Sequence, residues 1–194
     1  MNLPNQLTLL RLILTFVFVG VLSISSLPFG KTIALLVFSV AAITDFLDGY
    51  LARKHDLVTN FGKLMDPLAD KVLMCAGFVM LCSLELIPAW VVIIILSREF
   101  LVTGLRLLAS AEGVVLAAEG LGKYKTIFQI VTVIYFLLYL ASSEASFAWL
   151  QPVFNIFVLG TGGLGLALIW ISFFLTLISG LSYVWKNRKI LGDC

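Results

Sequence analysis

The sequence predicts an all-α integral membrane protein: six transmembrane helices, both termini in the cytoplasm, and a short polar N-terminal helix leading into the first span. Three observations carry that expectation. Of 194 residues, 61% are hydrophobic and 12% charged, with a mean hydropathy of +1.09; soluble domains are about half apolar and a quarter charged. The apolar residues gather into six runs, each near the ~20 residues needed to cross a bilayer. The basic residues cluster at alternate ends of those runs, as the positive-inside rule requires of an even number of spans.

The first run covers Leu7–Ser25, behind the polar Asn2, Asn5, Gln6 and Thr8, and ends at the turn Leu27-Pro28-Phe29-Gly30. Polar rather than basic residues precede it, so it reads as a retained helix and not a signal peptide. The second run is Lys31–Arg53, followed by a polar connection from Lys54 to Lys63. The third, Asp66–Leu86, stops before Pro88; the fourth, Pro88–Ala111, starts at a proline suited to a first helical turn. A loop from Gly113 to Gly122 leads to the fifth run, Lys123–Ala141. Residues Ser142–Asn155 form a connection containing Pro152, and the sixth run is Ile156–Trp185, softened by Gly160, Gly162, Gly163 and Gly165. That glycine cluster reads as a bend or a close helix contact.

Arg11, then Arg53, Lys54, Lys63 and Lys71, then Arg106, Lys123 and Lys125, then Lys186, Arg188 and Lys189 fall on one side. Lys31, Glu85 and Glu144 fall on the other. The basic side is the cytoplasmic one. A net charge of +2 gives no field that would favour nucleic acid. Cys75, Cys82 and Cys194 form no C-x-x-C pair and no zinc spacing. Trp90, Trp149, Trp170 and Trp185 fit interfacial belts; His55, Glu112 and Glu119 read as solvated loop residues. No internal repeat divides the chain, which reads as one domain over residues 1–194.

Against this background, Asp45 and Asp48 lie inside the second apolar run, and Asp66 and Asp70 open the third. A charge near hydrocarbon costs several kcal/mol and usually marks function. Spacings of three and four put each pair on one helix face. The short connection makes the two helices antiparallel neighbours, so the pairs can converge. Gathered carboxylates repel unless they are protonated or hold cations. An all-oxygen set suits a hard divalent ion, Mg²⁺ or Mn²⁺, with room for two as in phosphoryl transfer. The same residues also suit a divalent-cation or proton-coupled transporter.

The full segment is Asp45-Phe-Leu-Asp48-Gly49-Tyr-Leu-Ala52-Arg53, then eight residues, then Gly62-Lys-Leu-Met-Asp66-Pro-Leu-Ala-Asp70. It resembles the signature of the CDP-alcohol phosphotransferase family, D-x₂-D-G-x₂-A-R-x₈-G-x₃-D-x₃-D, at every fixed position. Asn5-Gln-Leu-Thr8-Leu-Leu-Arg11, Ser97-Arg98-Glu99-Phe-Leu-Val-Thr103-Gly104-Leu-Arg106 and Gly122-Lys123-Tyr-Lys125-Thr126 are similar to the phosphatidylglycerophosphate synthase branch. The resemblance implies a bacterial inner-membrane enzyme, typically a homodimer, with its site facing the cytoplasm. Its reaction would be CDP-diacylglycerol plus glycerol 3-phosphate to phosphatidylglycerophosphate plus CMP. By the same resemblance, Asp45, Asp48 and Asp66 bind a pair of divalent cations, with Asp70 near them and acting as general base. Asp48, Gly49, Ala52, Arg53, Thr59 and Gly62 shape the CDP-lipid pocket.

The acceptor's phosphate needs cations of its own. Arg98 lies deep in the fourth run and Arg106 about two turns nearer the cytoplasm. Arg106, Lys123 and Lys125 are the expected phosphate ligands, with Arg98 and Arg11 behind them. Positive-inside anchoring explains Lys123 and Lys125 equally well, and pairing with Glu99 would explain Arg98. Inositol phosphate, serine or phosphatidylglycerol are alternative acceptors for the same chemistry. The transporter reading lacks the paired broken helices or repeat that such proteins usually carry.

Overall fold

A long apolar helix satisfies its own backbone groups, which is what lipid demands. The computed structural model describes the backbone of residues 3–55, 60–111, 120–158 and 163–188; side chains are described there except at 3–5, 45–55, 60–68, 70, 111, 121 and 155–158. Helices α1 (Leu3–Ser23), α2 (Gly30–His55), α3 (Asn60–Ser83), α4 (Ala89–Ala111) and α5 (Gly120–Ala141) follow in order along the chain. A 3₁₀ turn at Ala145–Leu150, α6 (Gln151–Val158) and α7 (Leu164–Lys186) complete the chain. No strand occurs among the described residues.

Among the described residues, three segments are long and apolar enough to span a bilayer: Gln6–Ser23 in α1, Gly122–Ala141 in α5 and Leu164–Lys186 in α7. Shorter apolar stretches run over Gly30–Thr44 in α2 and Lys71–Ser83 in α3. At 23 residues α4 is as long as α7, but Arg98, Glu99 and Arg106 interrupt its apolar run. Large hydrophobic side chains are exposed along the outside of the bundle, among them Phe16, Leu36, Ile93, Leu107, Phe174 and Leu181. Exposed apolar surface on this scale suits lipid and not water. These are the helices of a membrane protein.

Inside, α1 packs on α2 and α3, α5 on α7 and α2, and α4 chiefly on α7. Phe18 and Phe38 meet with ring centroids 5.4 Å apart, beside the buried Phe78, Leu81, Val133 and Leu137. Gly165 lets α7 close on α5: a methyl group there would sit 2.8 Å from the Tyr135 ring. The seam between these helices is then tied by hydroxyls, Thr132 to Ser172 at 2.8 Å and the Gln129 amide donating to Thr176 Oγ1 at 3.1 Å. Small and hydroxylated residues are the usual adhesive between helices that share an apolar solvent.

Several element boundaries differ from expectation, each for a local reason. The polar N-terminal stretch is no separate helix: it forms the opening turns of α1, where Pro4 is tolerated because its missing N–H has no intrahelical partner. Helix α3 begins at Asn60 rather than Asp66 and continues through Pro67, as membrane helices can. The connection expected over Ser142–Asn155 holds the 3₁₀ turn and the start of α6, with Pro152 at the second position of α6. The run expected over Ile156–Trp185 is thereby divided between α6 and α7.

Candidate functional site

The signature aspartates sit where two helices share one end of the bundle. Asp45 and Asp48 lie in the C-terminal half of α2, and Asp66 and Asp70 in the N-terminal half of α3. Both helices are continuous there, so the three- and four-residue spacings survive as same-face register. The side chains of Asp45, Asp48, Gly49, Ala52, Arg53, Gly62, Asp66 and Asp70 lie outside the described residues, and Thr59 lies outside them altogether.

What the described residues do show is a cavity against those two segments. Its volume is about 420 Å³. Ala42 of α2 lines it, one turn before Asp45. Lys71 and Met74 of α3 line it too, directly after Asp70 and one turn beyond. The opposite wall is Arg98, Glu99, Thr103 and Arg106 of α4 with Lys123, Lys125 and Gln129 of α5. Four residues expected to receive the acceptor phosphate, Arg98, Arg106, Lys123 and Lys125, therefore share one chamber. Lys71 joins them. Arg11 does not line it; that side chain is 1% exposed on α1.

The cations are held in different ways. Lys125 is only 3% exposed and pairs with the Glu99 carboxylate. A buried ammonium is tolerated when a carboxylate faces it, and removing either partner strands the other. The same Glu99 oxygen lies 3.8 Å from Arg98 Nη1, and Arg98 Nη2 donates to Ser179 Oγ on α7 at 3.1 Å. Arg98 fits beside α7 because position 180 is glycine: a methyl there would stand 2.7 Å from Arg98 Cγ. Arg106 Nε donates to the Tyr183 hydroxyl at 3.1 Å. Lys123 is exposed at the mouth. Glu99 is the only carboxylate among the described lining residues, against five cations, so the chamber favours an anion.

Sequence reasoning offered Glu99 as the partner of Arg98, which the structure shows, but missed that Lys125 shares that carboxylate, that Lys71 lines the chamber, and the contributions of Ser179, Gly180 and Tyr183. One signal for the last group was present. Ser172, Thr176, Ser179 and Tyr183 recur at four-, three- and four-residue steps, a polar stripe on an otherwise apolar helix.

A family model described as CDP-alcohol phosphatidyltransferase matches residues 1–178. The chain belongs to that family. It is 42% identical over 202 residues to the Bacillus subtilis CDP-diacylglycerol–glycerol-3-phosphate 3-phosphatidyltransferase, covering 98% of this chain and 97% of that protein. The Rickettsia bellii protein of the same name is 38% identical, covering 97% and 96%. A probable phosphatidylglycerophosphate synthase of Mycobacterium tuberculosis is 42% identical over 139 residues, covering 71% of this chain and 66% of that one. Enzymes of the CDP-alcohol phosphatidyltransferase family are generally dependent on divalent metal. The chain's own donor set fits such an ion, since the signature offers four aspartates and hard cations prefer oxygen.

Proposed function

We propose that this enzyme transfers the phosphatidyl group of CDP-diacylglycerol to sn-glycerol 3-phosphate, giving phosphatidylglycerophosphate and CMP. One observation carries the reading: a chamber rich in Arg and Lys abuts the very helix segments that bear the signature aspartates. The relatives' activities agree with it. An enzyme joining a lipid diphosphate to a phosphorylated alcohol needs both features side by side.

Asp45, Asp48 and Asp66, with Asp70 beside them, would hold a pair of Mg²⁺ or Mn²⁺ ions. Bound there, the ions supply neutralisation of the diphosphate and of the charge growing on the departing CMP. Asp48, Gly49, Ala52, Arg53, Thr59 and Gly62 shape the CDP pocket; glycine and alanine leave the backbone open to the nucleotide. Arg106, Lys123 and Lys125, with Arg98, hold the acceptor's phosphate, so the free hydroxyl at the other end of the glycerol points to the lipid-side phosphorus. Arg11, buried on α1, is the weaker candidate for that phosphate. The Asp70 carboxylate takes the hydroxyl proton as the new O–P bond forms and the bond to CMP breaks. Fixing both partners before reaction removes much of the entropic barrier.

The bilayer dictates the setting. With its acyl chains in lipid, the diphosphate lies at the headgroup level, so the site lies at the cytoplasmic interface of the bacterial inner membrane. Residues 1–194 form one domain of six spans with both termini cytoplasmic, and two such chains form a homodimer. The deciding experiment is CMP release from CDP-diacylglycerol by the purified protein, with Mg²⁺, Mn²⁺ or neither. Candidate acceptors are glycerol 3-phosphate, inositol phosphate, serine and phosphatidylglycerol. Metal-dependent release with glycerol 3-phosphate alone is expected. Release with another acceptor would replace the substrate, and metal flux across vesicles without CMP would replace the enzyme by a transporter.

A further inference from the structure

Tyr183 sits near the C-terminal end of α7, is 1% exposed, and packs with Val102 and Leu105 of α4. A phenol buried this deeply needs a partner for its hydroxyl. Arg106 provides it, donating from Nε at 3.1 Å. The same guanidinium carbon lies 5.3 Å from the Tyr183 ring centroid, within cation–π range. One rigid ring thus grips Arg106 twice, and the hydrogen bond uses only the inner nitrogen.

The consequence concerns what is left over. Among the described residues, Nη1 and Nη2 of Arg106 have no hydrogen-bond partner. Those two nitrogens form the planar fork that takes a phosphate side by side. Arg98 and Lys125 are already engaged with Ser179 and Glu99. Arg106 is otherwise an exposed side chain. Left alone it would sample many rotamers, and fixing it on binding would cost affinity. Tyr183 does not line the chamber, so it reaches a ligand only through Arg106.

We propose that Tyr183 is a positioning residue for the acceptor's phosphate, presenting the Arg106 fork to the chamber in its binding geometry. The proposal rests on reading the chamber as the acceptor site. It is tested in the full-length enzyme in phospholipid nanodiscs, with glycerol 3-phosphate as the varied substrate. Tyr183→Phe keeps the ring and removes the hydroxyl. KM for glycerol 3-phosphate should rise by about tenfold or more, as expected for one hydrogen bond to a charged group. The kcat and the KM for CDP-diacylglycerol should stay within about twofold.

Arg106→Lys keeps the charge and loses Nε–H. Its acceptor KM should rise at least as far, and in that background Tyr183→Phe should add nothing. Because position 106 is exposed, this variant keeps the proposal falsifiable even if Tyr183→Phe folds poorly. An unchanged acceptor KM in Tyr183→Phe, or an equal rise in both backgrounds, overturns the positioning role. If Arg106→Lys leaves the acceptor KM unchanged, the acceptor-site reading falls with it. If Arg106→Lys raises that KM and Tyr183→Phe does not, this inference falls alone.

Discussion

The two ends of the bundle use the same ingredients for opposite purposes. At the end away from the signature, Glu144 closes on the N-terminus of α2. Its Oε1 accepts from the Lys31 backbone N–H at 2.9 Å; Oε2 accepts from the Thr32 N–H at 2.9 Å and from its hydroxyl at 2.6 Å. Lys31 Nζ donates to Ser143 Oγ at 2.8 Å. Both Glu144 oxygens are occupied, and the adjoining cavity, about 220 Å³, has largely apolar walls. At the signature end, one glutamate serves Lys125 and Arg98 while Lys71, Arg106 and Lys123 line the same space. A carboxylate saturated by backbone N–H groups is a helix cap. A surplus of cations around an open volume is a place for an anion.

Substitutions can break or sharpen that contrast. The largest effect belongs to the signature: Asp70→Asn should lower kcat for CMP release by roughly 10²- to 10⁴-fold, the usual worth of a general base, with the thermal midpoint in detergent little changed. Next comes the shared carboxylate. Glu99→Ala strands a buried ammonium and should destabilise the protein by about 3 kcal/mol. Adding Lys125→Met should recover much of that stability, read as Tm, without recovering affinity for glycerol 3-phosphate. Recovery of both would make the pair purely structural.

Smaller again, Arg106→Glu should raise the acceptor KM by about tenfold or more, given the ~1.5–3 kcal/mol of a hydrogen bond to a charged group. Mg²⁺ or Mn²⁺ dependence should be unaltered, and unchanged acceptor kinetics would remove Arg106 from the site. The smallest effect lies at the other end. Glu144→Gln should cost about 1 kcal/mol of stability, typical of a lost cap, with acceptor kinetics untouched. Burial alone would raise the Glu144 carboxyl, but the hydrogen bonds from Thr32 and Lys31 outweigh it and hold the carboxyl below its ordinary value. The cap's contribution is therefore fully present above the usual glutamate range and is lost as pH falls through the depressed value. A Tm–pH curve in which wild type and Glu144→Gln converge at low pH checks the sign; a constant gap would contradict it.

Local chemistry explains which features could be read early. The runs in α1, α5 and α7 announce themselves because a span must be apolar over its whole length. The cations Arg98, Arg106, Lys123 and Lys125 stand out because charge in such runs is costly. The 3₁₀ turn and α6 were illegible, since eight residues around Pro152 give too short a pattern to separate helix from loop.

By itself the sequence determined the solvent, the helical class, the family signature and the residue types of the site. All of these follow from composition or from spacings within about thirty residues. Tertiary structure alone decided the pairings. Glu99 meets Lys125 across 26 positions, Arg106 meets Tyr183 across 77, and Thr32 meets Glu144 across 112. Periodicity along a helix fixes which face a residue shares with its near neighbours. It says nothing about which other helix will pack there, and that packing determines whether a buried charge is capped, paired or left open to a substrate.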